Sequence, residues 1–101
     1  MPSPGVYPTS VPTALLDVRV RRIGGDFLLS RADRSYSLSD SAAFIWQQID
    51  GRRDATEIAH RLAAEYEVAT DAALADTLGV LHELTGLGLL GHAETQTGTG
   101  A

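Results

Sequence analysis

Cysteine is absent from the 101 residues. That removes disulfide scaffolds, thiolate metal sites, iron–sulfur clusters and cysteine nucleophiles at once. All eight basic residues are Arg, and 13 carboxylates bring the net charge to −5. So acidic a balance in so small a chain speaks against nucleic acid or an anionic membrane as partner, and leans towards proteins or peptides. No apolar run approaches the roughly 20 residues a membrane helix needs. Met1 to Thr13 lacks the basic start and apolar middle of a secretory signal, so the expected location is the cytosol. All four prolines fall between Met1 and Pro12. Proline fixes φ and denies a backbone donor, which predicts an extended, disordered N-terminal tail over residues 1–13. Residues 91–101, rich in Gly and Thr, predict a second tail. What remains, residues 14–90, is one domain with an ordinary composition: over the chain, 44% hydrophobic and 21% charged.

The first third of that domain alternates at strand period. Val18 and Val20 alternate with Arg19 and Arg21 up to Ile23. Gly24-Gly25-Asp26 is a turn signal before the apolar run Phe27-Leu28-Leu29, and Arg31-Ala32-Asp33-Arg34 is a second polar connection. In Ser35 to Ser39, Tyr36 and Leu38 share one face and the serines the other. Three short strands on tight turns predict an antiparallel meander.

The rest follows the 3.6-residue period. Ser39 or Asp40 can cap a helix with Ala42, Ile45, Trp46 and Ile49 on one side and Gly51 as its stop. Asp54 and Glu57 form a capping box ahead of a stripe of Ile58, Leu62 and Tyr66. A third helix runs from Thr70 or Asp71 to about Leu87. Its stripe Leu74, Leu78, Leu81 adjoins another of Ala73, Thr77, Val80 and Leu84, an apolar arc of roughly 160° where about 100° suffices for a surface helix. Two readings fit that excess: a helix sandwiched within the core, or a helix of which part lines a groove for a partner. The predicted fold is α+β and winged-helix-like, a three-stranded antiparallel sheet followed by three helices.

Little in the chain has the pattern of catalysis. His60, His82 and His92 lie far apart, and no second His follows four residues after His82, as a zinc helix requires. Gly24-Gly25 lacks phosphate-loop spacing, and no Gly-x-Ser-x-Gly elbow surrounds a serine. No catalytic residue, metal site or cofactor is expected. The alternative from another class is a winged-helix DNA-binding regulator. Against it, the third helix contains no Lys, Arg, Asn or Gln and carries Asp71, Asp76 and Glu83, so a duplex would repel it.

The residues become specific between Tyr36 and Ala59. Tyr36-Ser37-Leu38-Ser39-Asp40-Ser41-Ala42-Ala43-Phe44-Ile45-Trp46-Gln47-Gln48-Ile49-Asp50-Gly51, then Thr56-Glu57-Ile58-Ala59, resembles the PqqD family. The Leu-rich run Leu84 to Leu90 resembles that family's closing segment, and the likeness spans Val18 to Leu90. Ser39 stands where the family usually has Asn, and Ser caps a helix equally well. The resemblance implies a non-catalytic adaptor that binds the leader segment of a ribosomally made precursor peptide. It implies that the leader adds a strand to the edge of the third strand, its apolar side chains entering a groove beside the third helix. The peptide-contacting set expected is Arg34, Ser35, Tyr36, Ser37, Leu38, Leu74, Leu78, Leu81 and His82, with one turn of the leucine stripe left open as core instead of groove. Among relatives, the resemblance leans to the stand-alone leader-binding proteins of lasso-peptide biosynthesis, which serve a separate leader peptidase and an ATP-dependent cyclase. PqqD proper, beside a radical enzyme, is the rival. A monomer is expected, although an unprotected edge could pair two copies.

Overall fold

A computed structural model describes residues 6–92. Five strands and three helices follow in the order β1 (Pro12–Ala14), β2 (Arg19–Ile23), β3 (Asp26–Arg31), β4 (Arg34–Leu38), α1 (Asp40–Gln48), α2 (Ala55–Tyr66), α3 (Thr70–Gly86) and β5 (Leu90–His92). Strands β2, β3 and β4 form the expected antiparallel meander in that order. Both hairpins have two-residue loops, between Ile23↔Asp26 and Arg31↔Arg34. Gly24 (φ 63°) and Ala32 (φ 57°) occupy the left-handed backbone region that such tight turns demand.

One sheet face carries Phe27 and Leu29, both buried, onto the helices. Cross-strand pairing places Leu38 and Tyr36 beside them, half-buried against the same core. Ile45, Trp46, Ile58, Leu62, Leu81, Leu84 and Leu89 fill the space between sheet and helices. The helix starts follow the sequence signals. Ser39 Oγ accepts from Ala42 N–H at 3.2 Å. Asp54 and Glu57 close their box with reciprocal bonds of 2.9 and 3.0 Å. Tyr66, expected on the buried stripe of α2, instead lies exposed at the end of the helix, its ring edge-to-face with Phe44 at 5.9 Å.

The expected tail boundaries need correcting. β1 pairs antiparallel with β5, Pro12 opposite His92 and Ala14 opposite Leu90. This ribbon takes residues from both segments assigned to tails. Further upstream, Ser10 O accepts from Ala55 N–H at 3.0 Å, and Pro8 O accepts from Thr56 N–H at 3.1 Å. Those two donors head α2 and have no partner inside the helix. A proline-rich segment has few donors to satisfy, yet each residue keeps its carbonyl, which suits it to cap a helix start. Residues 1–5 and 93–101 of the expected tails lie outside the described residues.

Candidate functional site

β4 lies at one edge of the three-stranded sheet. Register and turn type settle which of its backbone groups are spoken for. A two-residue hairpin loop closes on a hydrogen-bonded pair, here Arg31↔Arg34, and bonded pairs then alternate along the strands. Leu29↔Tyr36 and Phe27↔Leu38 are therefore bonded pairs, while Ser35 and Ser37 turn their N–H and C=O groups away from β3. Residues 35–38 carry no charge and no proline, so this edge lacks the usual guards against strand addition.

A groove of about 390 Å³ runs along this edge, between β4 and α3. Its floor and strand side are Ser35 to Ser39 with Ala42; its helical wall is Val80, Glu83, Leu84 and Leu87. Tyr36 and Leu87 also wall an adjoining cavity of about 340 Å³, together with Asp17, Arg31 and Arg34. Arg31 is the strut of this end. Its Nε lies 3.0 Å from both Asp17 carboxylate oxygens, and its Nη1 donates to Gly88 O at 2.9 Å. The end of β3 is thereby tied to the chain just past α3, which fixes the gap between strand and helix. Gly88 turns there at φ 81°.

The strand half of the predicted set is where the sequence placed it: Ser35, Tyr36, Ser37 and Leu38 line the groove, and Arg34 lines its extension. The helical half is not. Leu81 is wholly buried, at 0% exposure, and belongs to the core. Leu74 and Leu78 pack half-buried against that core and do not line the groove. His82 is exposed, but at about 100° per residue it lies about 150° round α3 from the groove wall.

The same helical arithmetic explains why the leucine stripe does not line the groove. Ala73, Thr77, Leu81 and Leu84 are the buried residues of α3 and mark the direction of the core. The Leu74/Leu78 flank lies about 80° to one side of that direction, and Val80, Glu83 and Leu87 lie about 80° to the other. The wide arc does contain a groove wall, but on the flank opposite the leucine stripe. Val80 and Leu84 were visible in the sequence as the neighbouring apolar stripe. Glu83 was masked because a carboxylate on a helix reads as solvated surface.

The described residues hold no cluster of three or more His, Asp or Glu side chains able to bind a metal ion, and no helix among them is long and apolar enough to cross a membrane. Fold and site together define a small α+β module with an open strand edge beside an apolar groove.

Comparison with known proteins narrows the class. Residues 13–90 match the family model of coenzyme PQQ synthesis protein D, and the chain belongs to this PqqD family. No curated protein sequence matches. Among solved structures, the chain is similar to the PqqD truncation of Methylobacterium extorquens PqqCD, described as a functional, stand-alone recognition element for ribosomally synthesised and post-translationally modified peptides. Identity is 26%, TM-score 0.77, with 86% of this chain and 95% of that one covered. It shares its fold with lasso peptide synthetase B1 complexed with the leader peptide (22% identity, TM-score 0.70, covering 79% and 96%). TbiB1 in complex with the TbiA(beta) leader peptide has the same fold (22% identity, TM-score 0.70, covering 81% and 99%).

Proposed function

We propose that this protein binds the leader segment of a ribosomally made precursor peptide as an added strand on β4 and presents it to modifying enzymes in the cytosol, without catalysis of its own. The carrying observation is an uncharged, proline-free edge strand, with the N–H and C=O groups of Ser35 and Ser37 turned outward, beside a groove with aliphatic walls. Backbone bonds to such an edge supply affinity, and side chains entering the groove supply selectivity. Both are needed. Micromolar binding requires about 8 kcal/mol net, and two or three side chains at about 1.5–3 kcal/mol each fall short once association costs are met. The two leader-bound structures of the same fold support this reading. A separate leader peptidase and an ATP-dependent cyclase of lasso-peptide type are the partners we assign, with PqqD-type chemistry as the second assignment. A DNA-binding role finds no support: α3 offers Asp71, Asp76 and Glu83 to a duplex, without one Lys, Arg, Asn or Gln.

Proline scanning tests the edge. Pro at Ser35 or Ser37 removes an outward N–H and leaves the ladder to β3 intact, so the fold survives and peptide binding is lost. Pro at Tyr36 removes a bond to Leu29 and lowers the melting temperature. Binding that tolerates Pro at all three positions contradicts strand addition.

A further inference from the structure

Glu83 interrupts an otherwise aliphatic wall. Val80 stands three residues before it, Leu84 one after and Leu87 four after, all lining the same groove. Val80 and Leu87 put aliphatic surface one turn before and one turn after the carboxylate, which forms the exposed rim of the wall. Glu83 is the one charged side chain among the described lining residues. Neither ion pair of the described residues involves it. The helical segment is negative as well, with nine carboxylates against three arginines between Asp40 and His92, whereas Arg31 and Arg34 stand at the Leu87 end, in the adjoining cavity. The potential in this part of the groove therefore favours a cation.

Resting on the strand-addition reading, we propose that Glu83 is a specificity residue: the groove selects an extended peptide that sets a Lys or Arg side chain against Glu83 and an apolar side chain two positions away, over Tyr36 and Leu87. The spacing follows from α3 running along β4. Leu87 shares the Arg34 end of the strand with Tyr36, whereas Val80, Glu83 and Leu84 line the main groove alone. From Leu87 to Glu83 the helix rises about 6 Å. Alternate residues of an added strand, which share a face, are about 6.6 Å apart. One peptide face thus meets both sites, and the residue between them points to the other face of the sheet. An acidic residue in the Lys position meets a like charge at the groove rim and is disfavoured.

The probe is a displayed library of random nonapeptides, selected against the full chain, Glu83→Lys and Glu65→Gln. Peptides that bind are then resynthesised with Lys, Gln or Glu at the enriched position. Wild type should enrich Lys or Arg two positions from an apolar residue, and the Lys peptide should bind roughly three- to tenfold more tightly than its Glu counterpart at 0.1 M salt. Glu83→Lys should reverse the order without changing the melting temperature appreciably, and Glu65→Gln, on α2, should preserve it. Suppose peptides bind, and Ser35→Pro abolishes that binding, yet Lys and Glu peptides bind alike or the Lys preference survives Glu83→Lys. The specificity assignment is then overturned and strand addition stands. If no peptide is recovered, or recovered peptides ignore Ser35→Pro, strand addition itself falls and takes the specificity assignment with it.

Discussion

Truncating Leu81 and Leu87 to Ala separates core from groove on a single helix. Leu81 is 0% exposed and Leu87 39% exposed, six residues apart on the same element. Leu81→Ala leaves a cavity among tightly packed neighbours and costs about 2–5 kcal/mol of stability. In a domain this size each kcal/mol moves the melting temperature by about 4–8 °C, so the loss is at least about 8 °C. Leu87 already has most of its surface covered, and a bound peptide can bury only the remainder. Complete burial of a Leu yields about 1.5–3 kcal/mol. Covering the exposed two-fifths therefore yields about 0.6–1.2 kcal/mol, a roughly three- to eightfold change in affinity. Leu87→Ala should show that loss in fluorescence anisotropy with a labelled groove-binding peptide, and a smaller drop in melting temperature than Leu81→Ala. For Leu81→Ala the large change is in calorimetry, and affinity measured well below its melting point should be nearly intact. A Leu81→Ala variant that melts like wild type but binds peptide poorly would refute the assignment of the two flanks. So would a Leu87→Ala variant with unchanged affinity.

Two further predictions concern stability. Thr77 is fully buried in α3 and its hydroxyl has no hydrogen-bond partner among the described residues; Thr77→Val removes that unmet group and should stabilise the fold by about 1–2 kcal/mol in thermal or urea unfolding. Backbone N–H bonds from Arg53 and Arg52, at 2.8 and 2.9 Å, hold the Asp50 carboxyl below its ordinary range. A depressed folded pKa means that the stabilisation of the α1–α2 turn is present above pH 4 and lost as pH falls through the folded value. Asp50→Asn should flatten that acid limb of the stability profile, and an unchanged limb would show that the turn adds nothing.

The meander and the helix starts were legible because their signals are local. Alternation around Val18 to Ile23, the Gly24-Gly25 turn, the Ser39 cap and the Asp54–Glu57 box each depend on residues within a few positions of one another. The β1–β5 ribbon was not legible. Each strand has three residues, too few to show a period, and the partners stand at opposite ends of the domain. Proline at positions 8 and 12 read as disorder, because the sequence does not reveal that a distant helix start needs carbonyls. The site divides the same way. The strand edge follows from the pattern of Ser35 to Ser39, whereas the groove flank of α3 depends on how the helix is rotated against the sheet. The width of its apolar arc announced a wall; only packing tells on which side.

Amide hydrogen exchange at β4, followed by NMR with and without a groove-binding peptide, tests strand addition most directly. The Ser35 and Ser37 amides face outward and should exchange fast in the unbound protein, while Tyr36 and Leu38 are already slow through their bonds to β3. Peptide addition should slow Ser35 and Ser37 by tenfold or more at saturation and leave Val20 and Arg22, on the opposite edge strand, unchanged. Fast exchange persisting at Ser35 and Ser37 under saturating peptide, or protection appearing along β2 instead, would contradict the account.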